Sequence, residues 1–378
     1  MAPAAVADDL MRAFSADAST ISMLSAIYYY VYTLMQIPSG ILSDKIGVKK
    51  IITIGNIVAG IGTIIFSVSH LVVYAYLGRF IIGLGVSVIF VGFMKNNSTW
   101  FEAKMYSLIS GLTVLIGNIG SVIASGPLVE ILHLYKWRVV FLWLGFLSII
   151  LGALSYLFVK EGEYYNGESV SGIWRINDSQ MHGYHNIESI IRNKDIRISA
   201  IINFGIVGSY FAFIGLWSVP YIMDVYKIVR DEAIIYNTVS LIAFAIGAFC
   251  IGYVSDYLKK RRIILIIGSG IYMCVWICMM LFGHASNVMV LLYYTLLGVS
   301  SSTAVLTYTI SKESVERDCT GLAISIVNVG LFLGAAIIQS IIGFTLDHSW
   351  KGGLRDGIRM YDENAYICSI YYIIVFAV

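Results

Sequence analysis

A single guanidinium, that of Arg79, stands inside the otherwise apolar run 71–94. A charge that deep in hydrocarbon costs at least about 2.5 kcal/mol and calls for a partner or a wet cavity. No Asp or Glu lies in the middle of any apolar run of the chain, so the partner is a backbone carbonyl, a side chain of a preceding helix, or an anionic solute. Other polar side chains have spacings that suit a cavity wall. Tyr28, Tyr32 and Gln36 recur at i, i+4 and i+8 and share one helix face, where phenols and an amide serve either solute binding or helix packing. Asn118, Asn203 and Asn328 lie well inside apolar runs, and each needs a hydrogen bond from another helix or from across a cavity. Tyr210 and Trp217 fall one heptad apart on one face of "NFGIVGSYFAFIGLWSVPY", where Gly215 and Pro220 weaken the helix near its end. Tyr294 precedes the hydroxyl run Ser300 to Thr303, which suits close packing as well as binding.

The chemistry these groups offer is recognition, with no bond made or broken. The six histidines show no metal spacing, and Cys274 and Cys278 share a helix face without further ligands. Gly83-x-Gly85 is followed by no Gly-Lys-Ser/Thr, so nothing cradles a nucleotide and an ATP-driven pump is disfavoured. No enzyme activity, cofactor or nucleic-acid partner is expected.

The elements that hold these residues must live in lipid. The chain has 378 residues, 58% hydrophobic and 13% charged, against about 25% charged in soluble domains. Lipid requires each backbone amide to be satisfied within its own segment, and the runs are too long for barrel strands. The fold class is therefore an all-α, polytopic membrane protein. Ten full spans are expected, at about 20–42, 51–69, 71–94, 104–131, 138–159, 197–223, 233–256, 263–283, 288–311 and 320–346, with a partial eleventh from Ala365 to Val378.

Two turns between spans repeat a pattern. "GILSDKIGVKK" carries Gly40, Asp44, Gly47, Lys49 and Lys50, and about 210 residues later "GYVSDYLKKRR" carries Gly252, Asp256 and Arg261. Alternate loops that include both turns hold 16 of the 25 Lys and Arg, which makes that side cytoplasmic by the positive-inside rule and leaves 1–18 as an outer loop. The polar stretch 160–196 reads as a cytoplasmic linker between an N-terminal bundle, 1–159, and a C-terminal bundle, 197–378. Restoring one helix before the first span and completing the last brings the two turns into register on a twelve-helix plan.

On these residues the sequence resembles the major facilitator superfamily. The first turn matches the family's Gly-x-Leu-[Ser/Ala]-Asp-[Arg/Lys]-x-Gly-x-[Arg/Lys]-[Arg/Lys] loop; the second has Lys259 where the second glycine would fall. "RFIIGLG" is similar to the family's Arg-x-x-x-Gly-x-Gly on its fourth helix, and Gly126-Pro127 and Trp137-Arg138 flank the next loop. The resemblance implies two pseudo-symmetric helical bundles that alternate access to a midplane site, with the two acid-and-base turns as an inner gate. It implies a monomer in a lipid bilayer, expected to be the bacterial inner membrane, moving a small-molecule substrate, with H+ as the candidate coupling ion. Arg79, with no acid in any span, tilts the substrate toward an organic anion. A drug/proton antiporter is the alternative, although its Gly-x-x-x-Gly-Pro is not met, because Gly120 stands six residues before Gly126. A transport-incompetent relative acting as a sensor, or a degenerate gene product, is the third reading.

Overall fold

Apolar runs without water must close their own hydrogen bonds, and helices do so. The computed structural model of the chain describes residues 6–100, 113, 116–117, 119–120, 123–124, 127–159, 189–281, 286–315, 320–355 and 358–377. The helices, in order, are α1 (Ala7–Phe14), α2 (Ala18–Ile46), α3 (Val48–Val68), α4 (Val72–Trp100), α5 (Pro127–Leu134) and α6 (Trp137–Phe158). After the polar stretch come α7 (Lys194–Val225), α8 (Arg230–Leu258), α9 (Arg261–Leu281), α10 (Asn287–Glu313), α11 (Thr320–His348) and α12 (Glu363–Ala377). Among the described residues, eight helices are long and apolar enough to cross a membrane: α3, α4 and α6 to α11. The 29-residue α2, with four tyrosines, Gln36 and Pro38, is more polar and is not one of them. The protein is a multi-pass, all-α membrane protein; its β-structure among the described residues is one two-residue antiparallel pairing, Leu354–Arg355 with Ile358–Arg359.

One expectation needs correction. Residues 7–14 are no outer loop: Ala7, Leu10 and Met11, at i, i+3 and i+4, are buried and make α1 an amphipathic helix packed on the core. The second group of helices starts with α7 at Lys194, within a few residues of the expected span start at about 197. Residues 189–192 form a helical turn just before it. The rest of the 160–196 stretch and most of the expected 104–131 span lie outside the described residues.

Helices α3 and α4 touch backbone to backbone. A Cβ placed at Gly85 would fall onto the Ala59 amide nitrogen and the Gly55 carbonyl, so only glycine fits there. Helix α2 lies between α4 and α11 and runs antiparallel to α11. Its first residue, Ala18, donates its amide to Asp347 near the end of α11 at 3.0 Å, and midway along it Tyr32 packs on Phe332 with ring centroids 4.3 Å apart. The Gly47 turn that ends α2 therefore lies at the end where α11 starts. Asn193 donates to the Ser314 carbonyl there at 3.1 Å, and Asp195 pairs with Arg262 at 3.0 Å. Both repeated turns consequently occupy one end of the molecule.

Helix α7 is not uniform. Its turns widen to π geometry over Asn203–Gly208 and again over Phe213–Trp217, the second enclosing Gly215 and ending just before Pro220. Such bulges recur at functional sites because they free backbone groups and shift side chains around the helix.

Candidate functional site

The face of α2 that meets the second group of helices is built from tyrosines. Tyr28, Tyr29 and Tyr32 form a cluster, with Tyr28 5.4 Å from Tyr29 and 5.9 Å from Tyr32 between ring centroids. Tyr29 reaches across to Phe332 of α11 at 6.2 Å, and its hydroxyl sits 3.3 Å from where a Gly215 Cβ would be. The glycine of the second π turn thus leaves room for a phenol of α2. Gln36, one turn beyond Tyr32, is buried.

Arg79 of α4 joins this cluster. Its Nε donates to the Leu24 carbonyl of α2 at 3.2 Å, and its guanidinium carbon lies 5.5 Å from the centre of the Tyr28 ring. Among the described residues it makes no ion pair. Of the partners that sequence left open, a backbone carbonyl takes one N–H, while the Nη groups keep their capacity for a bidentate anion. Gly83, one turn on, packs against Val31 and so holds this part of α4 close to α2.

The remaining expected site residues sit apart from Arg79. Asn203, fully buried, donates to the Ser199 carbonyl at 3.1 Å and to the Thr307 hydroxyl, which ties α7 to α10. Tyr210 bonds Ser240 at 3.1 Å and stacks on Phe244, so it belongs to the packing of α7 on α8. Tyr294 donates to the Ser218 carbonyl at 3.2 Å. Asn328 accepts from Tyr308 at 3.1 Å. Trp217 is fully buried, with no hydrogen-bond partner for its indole N–H among the described residues. It lines a cavity of about 220 Å³ beneath α1, together with Pro220, Asp224, Arg12 and Arg230. The hydroxyls from Ser300 to Thr303 bond back to their own helix, as a packing surface does. Asn118 lies outside the described residues.

In the repeated turns, Gly47 takes φ +88°, a conformation that suits glycine, and Lys259, in the equivalent place, takes φ +53°. Lys49 stands 4.6 Å over the Tyr156 ring and Lys50 is exposed. Arg261 pairs with Glu313 at 2.9 Å, and Arg262 holds Asp195 through both carboxylate oxygens at 3.0 Å. Gly252 has open space around it. Gly40 lies within α2, and the side chains of Asp44 and Asp256 lie outside the described residues, so the expected acid half of each gate does too. Sequence reasoning did not single out Tyr29 and Phe332. Tyr29 was lost within a run of three tyrosines, and Phe332 sits in an apolar helix where nothing distinguishes it.

The family model of the Major Facilitator Superfamily matches residues 1–337 and again 198–376. The chain belongs to this superfamily. As a superfamily member it is a transmembrane transporter for small molecules. It is 24% identical over 360 residues to an uncharacterized transporter, YybO, of Bacillus subtilis (strain 168), a match covering 89% of this chain and 81% of that protein. Over 143 residues it is 24% identical to a probable sulfoacetate transporter, SauU, of Cupriavidus necator, covering 38% of this chain and 33% of that protein. Over 144 residues it is 26% identical to a quinolone resistance transporter of Acinetobacter baumannii, covering 36% and 33%. In fold it is similar to a bacterial homolog of the human lysosomal transporter Spinster, captured inward-facing and unoccupied, with a TM-score of 0.79 at 16% identity over 100% of this chain and 90% of that one.

Proposed function

We propose that this superfamily member is a secondary active transporter for small organic anions, with Arg79 as the residue that binds the anionic group. The observation that carries this reading is a guanidinium inside a membrane helix that spends one N–H on the Leu24 carbonyl and pairs with no acid among the described residues. Phenols of α2 flank it, and the path from Arg79 through Tyr28 and Tyr29 leads to Phe332 and Gly215, where the two groups of helices meet. A carboxylate, sulfonate or phosphate there accepts two N–H bonds from Arg79 and further bonds from tyrosine hydroxyls. The name of the probable sulfoacetate transporter points the same way, for a similarity that spans a third of the chain.

Transport follows as alternating access. The helices of 1–159 rock against those of 197–378 about the seam between α2 and the pair α7 and α11, in a monomer within a bacterial plasma membrane. The basic turns at Gly47 and Lys259 face the cytoplasm, and protons supply the driving force. Drug/proton exchange is the second reading, favoured by the similarity to a quinolone resistance transporter.

Ligand-dependent stability of the purified chain separates the two. Small carboxylates, sulfonates and phosphate esters raise the melting temperature in a concentration-dependent way, and Arg79→Ala removes that rise without lowering the ligand-free melting temperature by more than a few degrees. Stabilisation by cationic dyes alone, or by anions equally in Arg79→Ala, defeats the anion reading.

A further inference from the structure

Asp347 ends α11, yet its carboxylate is spent on another helix. Oδ1 accepts the Ala18 amide at 3.0 Å and Oδ2 accepts the Ser19 amide at 2.6 Å. These are N–H groups of the first turn of α2, which have no acceptor within their own helix. A carboxylate at that position also meets the positive end of the helix dipole. Oδ1 is also held from its own side of the seam. Tyr361 donates to Oδ1 at 2.9 Å and Arg359 does so at 3.1 Å, while Arg359 also lies 3.8 Å from Asp17, the residue that caps α2. Asp347 is 13% exposed at the side chain, so water competes little for these bonds. One turn further along, Ser22 donates to the Gln339 carbonyl, and a Cβ on Gly343 would strike Ser22, so the helices are in contact beneath the carboxylate. Helix α1 adds a second tie at this end, Asp9 to Arg230 at 3.3 Å.

We propose that Asp347 is a latch that holds the transporter closed at the end opposite the Gly47 and Lys259 turns, by capping α2 from α11. It touches no solute and acts by setting how often that end opens. The geometry makes the latch all-or-none. Two adjacent backbone N–H groups meet two oxygens of one carboxylate, and the Ala18 amide also meets the Tyr361 hydroxyl at 3.2 Å, so a small separation of α2 from α11 breaks these bonds together and leaves Asp347 to Arg359 and Tyr361. The inference goes beyond the anion reading and is tested without substrate, so its failure leaves the role of Arg79 standing, and failure of that role leaves the latch standing.

The test uses the full chain with its five cysteines replaced by alanine and one cysteine placed by Ser25→Cys. Ser25 is buried and shares the α2 face of Ser22 and Tyr32. The rate of its reaction with a membrane-impermeant maleimide is measured in vesicles of each orientation. With the latch intact the reaction from the Asp347 side is slow. Asp347→Asn turns one acceptor oxygen into a donor facing an amide N–H, and the rate from that side rises about tenfold or more, while the rate from the other side stays the same or falls. Asp347→Glu, which keeps the carboxylate, recovers part of the protection. Tyr361→Phe, which keeps the ring but removes a donor to Oδ1 and a second acceptor for the Ala18 amide, gives a smaller rise on the same side. An unchanged rate in Asp347→Asn, or an equal rise from both sides, overturns the proposal.

Discussion

Arg79 and Leu24 are joined by a single hydrogen bond, from Nε to the backbone carbonyl at 3.2 Å, and that bond fixes where the guanidinium points. Because it uses a main-chain acceptor, no substitution at Leu24 abolishes it, and the orientation of Arg79 depends on how closely α4 approaches α2 and α3. Changes in helix spacing are therefore expected to reach the site before changes in neighbouring side chains do.

Gly85 sets that spacing. Gly85→Ala forces α4 away from Ala59 and Gly55 and is expected to destabilise by about 1–3 kcal/mol, the usual range for overpacking. Gly252, from the second repeated turn, has open space around it and behaves oppositely. Gly252→Ala stabilises by up to about 1 kcal/mol, because glycine within a helix carries an entropic cost. Melting temperatures of the two variants in one detergent check both signs.

The two repeated turns differ in strain. Gly47, at φ +88° and ψ 155°, takes a conformation open essentially to glycine alone, and Gly47→Ala costs roughly 1–3 kcal/mol, whereas Lys259, at φ +53° and ψ 25°, sits in the left-handed helical region and bears about 1–2 kcal/mol already. Lys259→Gly is expected to stabilise by about 0.5–1 kcal/mol, the gain in the folded turn being partly offset by a freer unfolded chain. Denaturation of both variants beside the parent gives the comparison.

Asp17 supplies a pH signature. Burial works against its charge, but hydrogen bonds from Thr20 and Ser19 and the Arg359 guanidinium outweigh that, and its carboxyl is held below the ordinary aspartate value. A depressed folded-state value means stability that is complete above the unfolded value, about 3.9, and is lost as pH falls through the folded one. Asp17→Asn keeps a good helix cap but has no proton to take up. The stability gap between parent and Asp17→Asn is therefore expected to be constant above about pH 5 and to close on acidification below about pH 4. A gap that widens on acidification contradicts this assignment.

The spans were legible because their physics is local: an apolar run of sufficient length in lipid has only the helix open to it, and the expected runs from 51–69 to 320–346 that fall in the described residues each hold a helix within a few residues of the expected ends. Helix α1 was missed although its apolar residues keep helical spacing, because Asp8, Asp9 and Arg12 on the other face made the segment read as polar loop. The same locality explains what could be seen of the site. Arg79 stood out because a charge in an apolar run is anomalous by itself. Tyr210, Tyr294 and Asn203 were candidates because they are polar and deep, but their partners Ser240, Ser218 and Thr307 lie on helices distant in sequence, and only packing shows that those bonds are already made. Asp347 carried no signal at all. An acid at the end of a span reads as a solvated terminus until another helix is found offering its amides to it.

Uptake of a labelled small organic anion into proteoliposomes, comparing the parent chain with Arg79→Ala and Arg79→Lys, decides whether Arg79 binds the transported anion. Loss of a charged hydrogen-bond partner is worth about 1.5–3 kcal/mol, so Arg79→Ala is expected to lower anion uptake about 10- to 100-fold, with Arg79→Lys in between because it keeps the charge and loses the fork. Anion uptake that survives Arg79→Ala unchanged, or a parent protein that moves only cations, would contradict that role.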